Sequence, residues 1–290
     1  MGLQVNAGLA ATMEANGGPG FLKQLPTLQL HRALRAGDPA GVEAAAAGQG
    51  CDLEQPVRGP GDAPAERPLT FALREAAKDG DKKAAWAACA RALVNKGAGV
   101  KEKTSAGGHL LDIRVDVGLA EFLLDKGAAG CTSAGFAHVA GARCSAEEDR
   151  SGGIDATALK LLSFVAPFDK DDPLLLLGLC GALVAGHTKT AQALLEKGVP
   201  VPPRASLGGF GALFHAAGND DVELCEALLK RGELLDRVNT SLMQTPFHFA
   251  AMRGCWKAAQ FLMDRGAKID TADDAFGCKA KHYWCRRKDA

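Results

Sequence analysis

The sequence predicts an all-α solenoid, a stack of helix-turn-helix units joined by hairpin-like loops, and three observations predict it. The first is a recurring phrase of an apolar pair, two polar residues and a glycine. It reads Leu194-Leu195-Glu196-Lys197-Gly198, Leu228-Leu229-Lys230-Arg231-Gly232 and Leu262-Met263-Asp264-Arg265-Gly266, with the glycines 34 residues apart. A fixed period of this length is the mark of a stacked repeat. The second is the chemistry of the phrase, which is that of a helix end: apolar residues facing a neighbour, a basic residue in the last turn, and glycine in the left-handed position that stops the helix. The third is composition, 35 Gly and many Ala against 12 Phe, 3 Trp and 1 Tyr, which suits thin, closely spaced helices rather than a thick core.

Taken in order, residues 1–26 predict a flexible N-terminal tail; the first twenty contain neither Lys nor Arg and lack a secretory or transit pattern. Gly2 sits where a myristoylated glycine would, but Asn6 stands where that motif needs Ser or Thr. A single domain is expected from 27 to 290. Its first unit is Thr27 to Gly50, followed by a Pro- and Gly-rich irregular loop over 52–67. The second, Pro68 to Gly97, is long for the period and predicts extended helices; the third, His109 to Gly127, is short. Gly127 and Gly198 are separated by about two periods, so a further unit must lie between them. It is placed at Ala134 to Ala166, with helices Ala134 to Ala142 and Ala156 to Ala166 around a polar insertion, 143–155, that holds Glu147, Glu148, Asp149 and Arg150. The apolar run Leu174 to Ala185 is too short to span a bilayer and predicts a buried helix. Units follow at Gly178 to Gly198, Gly211 to Gly232 and Gly232 to Gly266. Thr245 can cap the last one and Pro246 fits its first turn. Phe276 to Trp284 predicts the opening helix of an eighth unit that stops halfway.

The segment TPFHFAAMRGCWKAAQFLMDRGAKIDTADDAFG closely resembles an ankyrin repeat. The resemblance covers about residues 27 to 290, clearest over 209–280 and degenerate before. It implies a protein-binding scaffold or adaptor without enzymatic activity, using a concave surface of hairpin tips and first helices. On that basis the candidate partner-binding residues are Lys101, Lys103 and Thr104; Arg204 and Ser206; Arg237, Asn239 and Ser241; and Thr271, Asp273 and Asp274 at the tips. Arg74, Lys78, Met252 and Arg253 are added from first helices. The resemblance makes His248 a structural histidine bonded to neighbouring loops. The alternative is a permanent structural subunit of a large multiprotein assembly, because only one unit keeps the full Thr-Pro-x-His opening and several depart in length.

Other chemistries find little support. Lys plus Arg equals Asp plus Glu, 34 each, so no global field draws nucleic acid or an anionic membrane. Arg286-Arg287-Lys288, the sole basic cluster, reads as a solvated tail. No GxSxG elbow or phosphate-binding glycine loop occurs, and no catalytic residue or cofactor is expected. Cys255, Cys278, His282 and Cys285 do not follow a usual zinc spacing, so no metal is expected either. Nine scattered cysteines with no CxxC pair suggest a reducing, cytoplasmic setting, an organelle remaining open.

Overall fold

In a computed structural model, the described residues are 21–57, 65–78, 80–101, 103–104, 107–142, 153–239 and 243–269, with the short strands at 272–273 and 278–279. Thirteen α-helices lie among them, arranged in two compact units, Met1–Cys131 and Thr132–Ala290, where the sequence predicts one domain from residue 27 onward.

In the first unit, α1 (Phe21–Ala36) pairs with α2 (Pro39–Ala46), and α3 (Pro68–Ala76) with α4 (Lys83–Asn95). α1 begins six residues before the expected edge of the tail. The extra length after Pro68 lies in the thirteen-residue α4 and the turn before it, while α3 has an ordinary nine residues. In the short third repeat the first helix shrinks to a 3-10 turn, Leu110–Asp112, before α5 (Val117–Asp125), whose cap is Asp116 accepting from the Leu119 amide at 2.8 Å. Leu30, Leu34, Leu69, Leu73, Leu93, Leu119 and Leu123 fill the core.

In the second unit four pairs follow one another: α6 (Ser133–Ala140) with α7 (Gly153–Phe164), α8 (Pro173–Ala185) with α9 (Thr188–Glu196), α10 (Ala212–Gly218) with α11 (Val222–Lys230), and α12 (Pro246–Arg253) with α13 (Trp256–Asp264). First helices α6, α8, α10 and α12 pack in series, and second helices α7, α9, α11 and α13 do the same, so the unit has two helical layers. Glycine sets the spacing of the first layer. A Cβ on Gly178 would stand 2.9 Å from the Phe136 ring, and one on Gly181 would stand 2.5 Å from the Gly141 Cα. The repeat-ending glycines have the left-handed geometry that the phrase predicts, with φ of 92°, 91° and 89° at Gly198, Gly232 and Gly266.

The hidden fourth unit exists as the helix pair α6 and α7. α7 starts at Gly153, inside the expected insertion, and 143–152, with Glu147 to Arg150, lie outside the described residues. The last segment corrects an expectation. Cys278–Lys279 forms a two-residue strand, antiparallel to Ala272–Asp273, where the opening helix of an eighth unit was expected. The chain after Gly266 first makes a hairpin like the loops between earlier repeats; 280–290 lie outside the described residues.

Candidate functional site

The two layers of the second unit differ in chemistry. Every second helix carries both acid and base, as in Glu223, Glu226 and Lys230 of α11, whereas the four first helices together hold one formal charge, Arg253. Second helices cover one side of the first layer, so its exposed side chains face the other way. On α8 these are Leu174 (40% exposed), Leu177 (59%) and Val184 (36%). At 3.6 residues per turn the three share one stripe. The expectation of a buried Leu174 to Ala185 helix is corrected accordingly: one side is buried by Leu175, Leu179, Ala182 and Leu183, and the other meets water.

Beside this stripe α10 and α12 support an aromatic cluster. Phe210 packs against Phe214 at 5.7 Å, His215 at 6.1 Å and Phe249 at 5.6 Å between ring centroids. The Arg253 guanidinium lies over the half-buried Phe249 at 5.4 Å, and the exposed Met252 continues the surface. Arg237 leans over the start of α10, with its Cδ 3.9 Å from where a Gly211 Cβ would be; Arg253 leans over its end, 3.6 Å from that position on Gly218. Neither arginine makes an ion pair among the described residues.

The expected site residues are distributed unevenly. Arg237, Met252 and Arg253 are brought together here. Asn239 is not available to a partner: it is 1% exposed, and it closes its own loop by donating its amide to the Gln244 carbonyl at 2.9 Å while its Oδ1 accepts from the Gln244 amide at 3.4 Å. A short polar side chain that replaces a strand partner at a tight turn is consumed by the turn. Arg204 and Ser206 lie on a 3-10 turn, Arg204–Leu207, and Asp273 on the short ribbon. Ser241, Thr271 and Asp274 fall outside the described residues.

In the first unit, Arg74 pairs with Glu66, and Lys78, in the turn beyond α3 rather than on the helix, pairs with Glu75 at 2.6 Å. Lys101 and Lys103 are exposed beside a turn in which the Thr104 amide donates to the Gly108 carbonyl at 2.8 Å. His248 is fully buried. Its Nδ1 accepts from the Thr245 amide at 3.3 Å and meets the Thr245 hydroxyl at 2.8 Å, which puts the ring proton on Nε2 and fixes the start of α12. These two bonds lie within its own unit.

Among the described residues no group of His, Cys, Asp and Glu is arranged to hold a metal ion, and no helix is long and apolar enough to cross a membrane. The family model for ankyrin repeats matches residues 177–273 in three copies. The human ankyrin repeat and SOCS box protein 18 is 31% identical over 125 residues, covering 32% of this chain and 26% of the relative. The chain thus spans about a quarter of the length of that curated relative. With helix pairs in two layers, left-handed glycines at a 34-residue period, the Thr-Pro-Phe-His opening of α12 and this match in hand, residues 177–273 of the chain are ankyrin repeats, of a family whose repeats generally serve as protein-interaction modules.

Proposed function

We propose that this chain is a non-enzymatic adaptor that docks a partner protein on the first-helix layer of its second unit and the loops beside it. One observation carries the reading: Leu174, Leu177 and Val184 face water on a helix without a single charge. Covering such side chains is worth roughly 1.5–3 kcal/mol each before ordering costs. A layer of helices spaced by Gly178 and Gly181 has little freedom to lose, so preorganisation is the mechanism. The scattered cysteines suit a reducing compartment, and we place the adaptor there.

The same stripe favours a second reading, a permanent subunit of a large assembly, since lasting interfaces are more apolar than exchangeable ones. The test is native purification of the tagged chain with a photo-crosslinking residue at position 177 and, as control, at Lys189 on the exposed side of α9. Exchangeable proteins attached at 177 alone support an adaptor. One discrete particle with stoichiometric cross-links supports the subunit. Equal labelling at both positions overturns the assignment of the face.

A further inference from the structure

The exposed side of α8 is complementary to itself. We propose that a second copy of this chain occupies it, with the two α8 helices packed antiparallel about a two-fold axis, so that each copy covers the other's stripe until another protein competes for it; this inference rests on the reading of the α8 face as a docking surface.

Spacing is the first ground. Leu174, Leu177 and Val184 are exposed and Gly181 is half-buried, so positions 174, 177, 181 and 184 follow one another at intervals of three, four and three. That is the seam of a helix that packs along a second helix, here about 15 Å long. The pattern of intervals is the same in both directions. Turned end for end about a point between 177 and 181, the seam sets Leu174 against Val184 and Leu177 against Gly181, each pairing occurring twice.

Shape is the second. Leu177, at 59% exposed, is a knob. Gly181 marks a hole: it has no side chain, and it lies so close to α6 that a Cβ on it would stand 2.5 Å from the Gly141 Cα. Gly141 and Gly181 are both half-buried, so the notch they form between α6 and α8 opens to water. Knob and notch on one surface, four residues apart, are both filled by a copy of that surface related by a two-fold axis.

Charge fixes the orientation. Asp169 and Asp171 are exposed in the turn before α8 and make no ion pair among the described residues. At the other end of α8 the Gly186 Cβ position is 3.4 Å from the Asn219 Cγ, and the residue before Asn219, Gly218, is overhung by Arg253, whose Cδ is 3.6 Å from the equivalent point. α8 thus has unpaired acid before its start and an unpaired base beside its end. An antiparallel copy brings Asp169 and Asp171 of one chain to the Arg253 end of the other, at both ends of the seam. A parallel copy would set acid on acid and base on base. Neighbouring charges leave this unchanged. Lys170 is turned toward Gly198 at the end of α9, Glu233 and Arg237 are of opposite sign and both lean over Gly211, and Asp172, Asp220 and Asp221 are bonded to the amides of Leu174, Ala258 and Leu224.

The experiment is sedimentation velocity of the full chain over about 1–200 µM, since a seam this short gives a micromolar rather than a nanomolar dimer. A dimer is expected to form across that range, and Leu177→Asp to remain monomeric throughout. Asp171→Arg and Arg253→Glu should each weaken the dimer about threefold to tenfold, and the double variant should regain most of what was lost, because the reversed charges face each other again. All three positions are exposed, and far-ultraviolet circular dichroism establishes that each variant is folded. A monomer at every concentration, a dimer that survives Leu177→Asp, or reversals that do not compensate would overturn the proposal. If the chain is monomeric while other proteins cross-link at position 177, the face belongs to a foreign partner and the adaptor reading stands alone. If position 177 cross-links a second copy and nothing else, the dimer stands and the adaptor reading falls.

Discussion

Burial sets the chemistry of individual residues more than their type does. Cys225 of α11 is pushed up to about 12, first by desolvation and then by Asp221 and Asp220, and Cys89 of α4 to about 11, again mainly by burial. At pH 8 about one Cys225 in ten thousand would be a thiolate. Iodoacetamide at that pH should therefore modify the half-buried Cys51 and Cys255 well before Cys89 and Cys225, as read by peptide mass spectrometry; early labelling of Cys225 would show that α11 opens on its own. Glu226 moves the other way. A hydrogen bond from Arg265, and then one from Lys230, holds its carboxyl below the ordinary 4.5. A depressed carboxyl contributes stability above its unfolded value and loses it as pH falls through the folded one, so the contribution disappears in acid. Arg265→Gln should raise the Glu226 titration seen by NMR, and high salt should do much the same because the pair is exposed. The role of His248 could be read from its motif. The exposure of Leu177 could not: Pro173–Ala185 is apolar at every position, so the periodicity that tells a wet side from a dry one is missing.

Two helices of the second unit borrow their caps. α9 follows His187 and α13 follows Cys255, and neither residue supplies a side-chain cap. The third amide of α9, on Thr190, instead donates to Asp155 of α7 at 2.9 Å, with the Thr190 hydroxyl donating to the same oxygen at 2.6 Å. The third amide of α13, on Ala258, donates to Asp220 at 2.9 Å. Each carboxylate sits one unit upstream, 35 and 38 residues away. Such a cap is worth about 1 kcal/mol, and more where the orphaned groups are buried, as Thr190 is. Asp155→Ala should accordingly cost about 1–3 kcal/mol in urea unfolding, with Asp155→Asn retaining most of the stability. An unchanged midpoint in the alanine variant would show that water replaces the carboxylate. These bonds were illegible in the sequence, where α9 and α13 lack a Ser, Thr, Asp or Asn at the expected place. By contrast α5, α8 and α11 have Asp116, Asp172 and Asp221 in sequence position, and α12 has Thr245.

At the scale of the whole chain, stability in a repeat array is close to a sum of unit and neighbour terms, so weak units should exchange first. Units six and seven keep regular helices, the Thr245–His248 lock and the aromatic cluster. The third has a 3-10 turn in place of a helix, and the fourth is interrupted by the segment before Gly153. Amide exchange should thus be slowest over 209–275 and faster over 108–170; equal protection throughout would count against a stack of semi-independent units. The period itself was legible, including the hidden unit, because a gap of two periods must contain two repeats. The start of α1 was not, since Pro26 lies inside the helix, where a sequence reading places a boundary. The strand at Cys278–Lys279 was hidden for a related reason: a two-residue pairing leaves no period to find.

The borrowed caps also give the array a direction. At two junctions a carboxylate on one unit serves an amide of the next, both times toward the C-terminus, so those adjacent units are lender and recipient rather than equals. Trimming units from the C-terminal end leaves a spare aspartate in water, which is harmless. Trimming them from the N-terminal end at either of these junctions takes the cap from the first helix pair that remains. The order of repeats is therefore written in hydrogen bonds as well as in sequence, and a unit transplanted elsewhere in the stack would carry its own helices but not the aspartate that begins one of them.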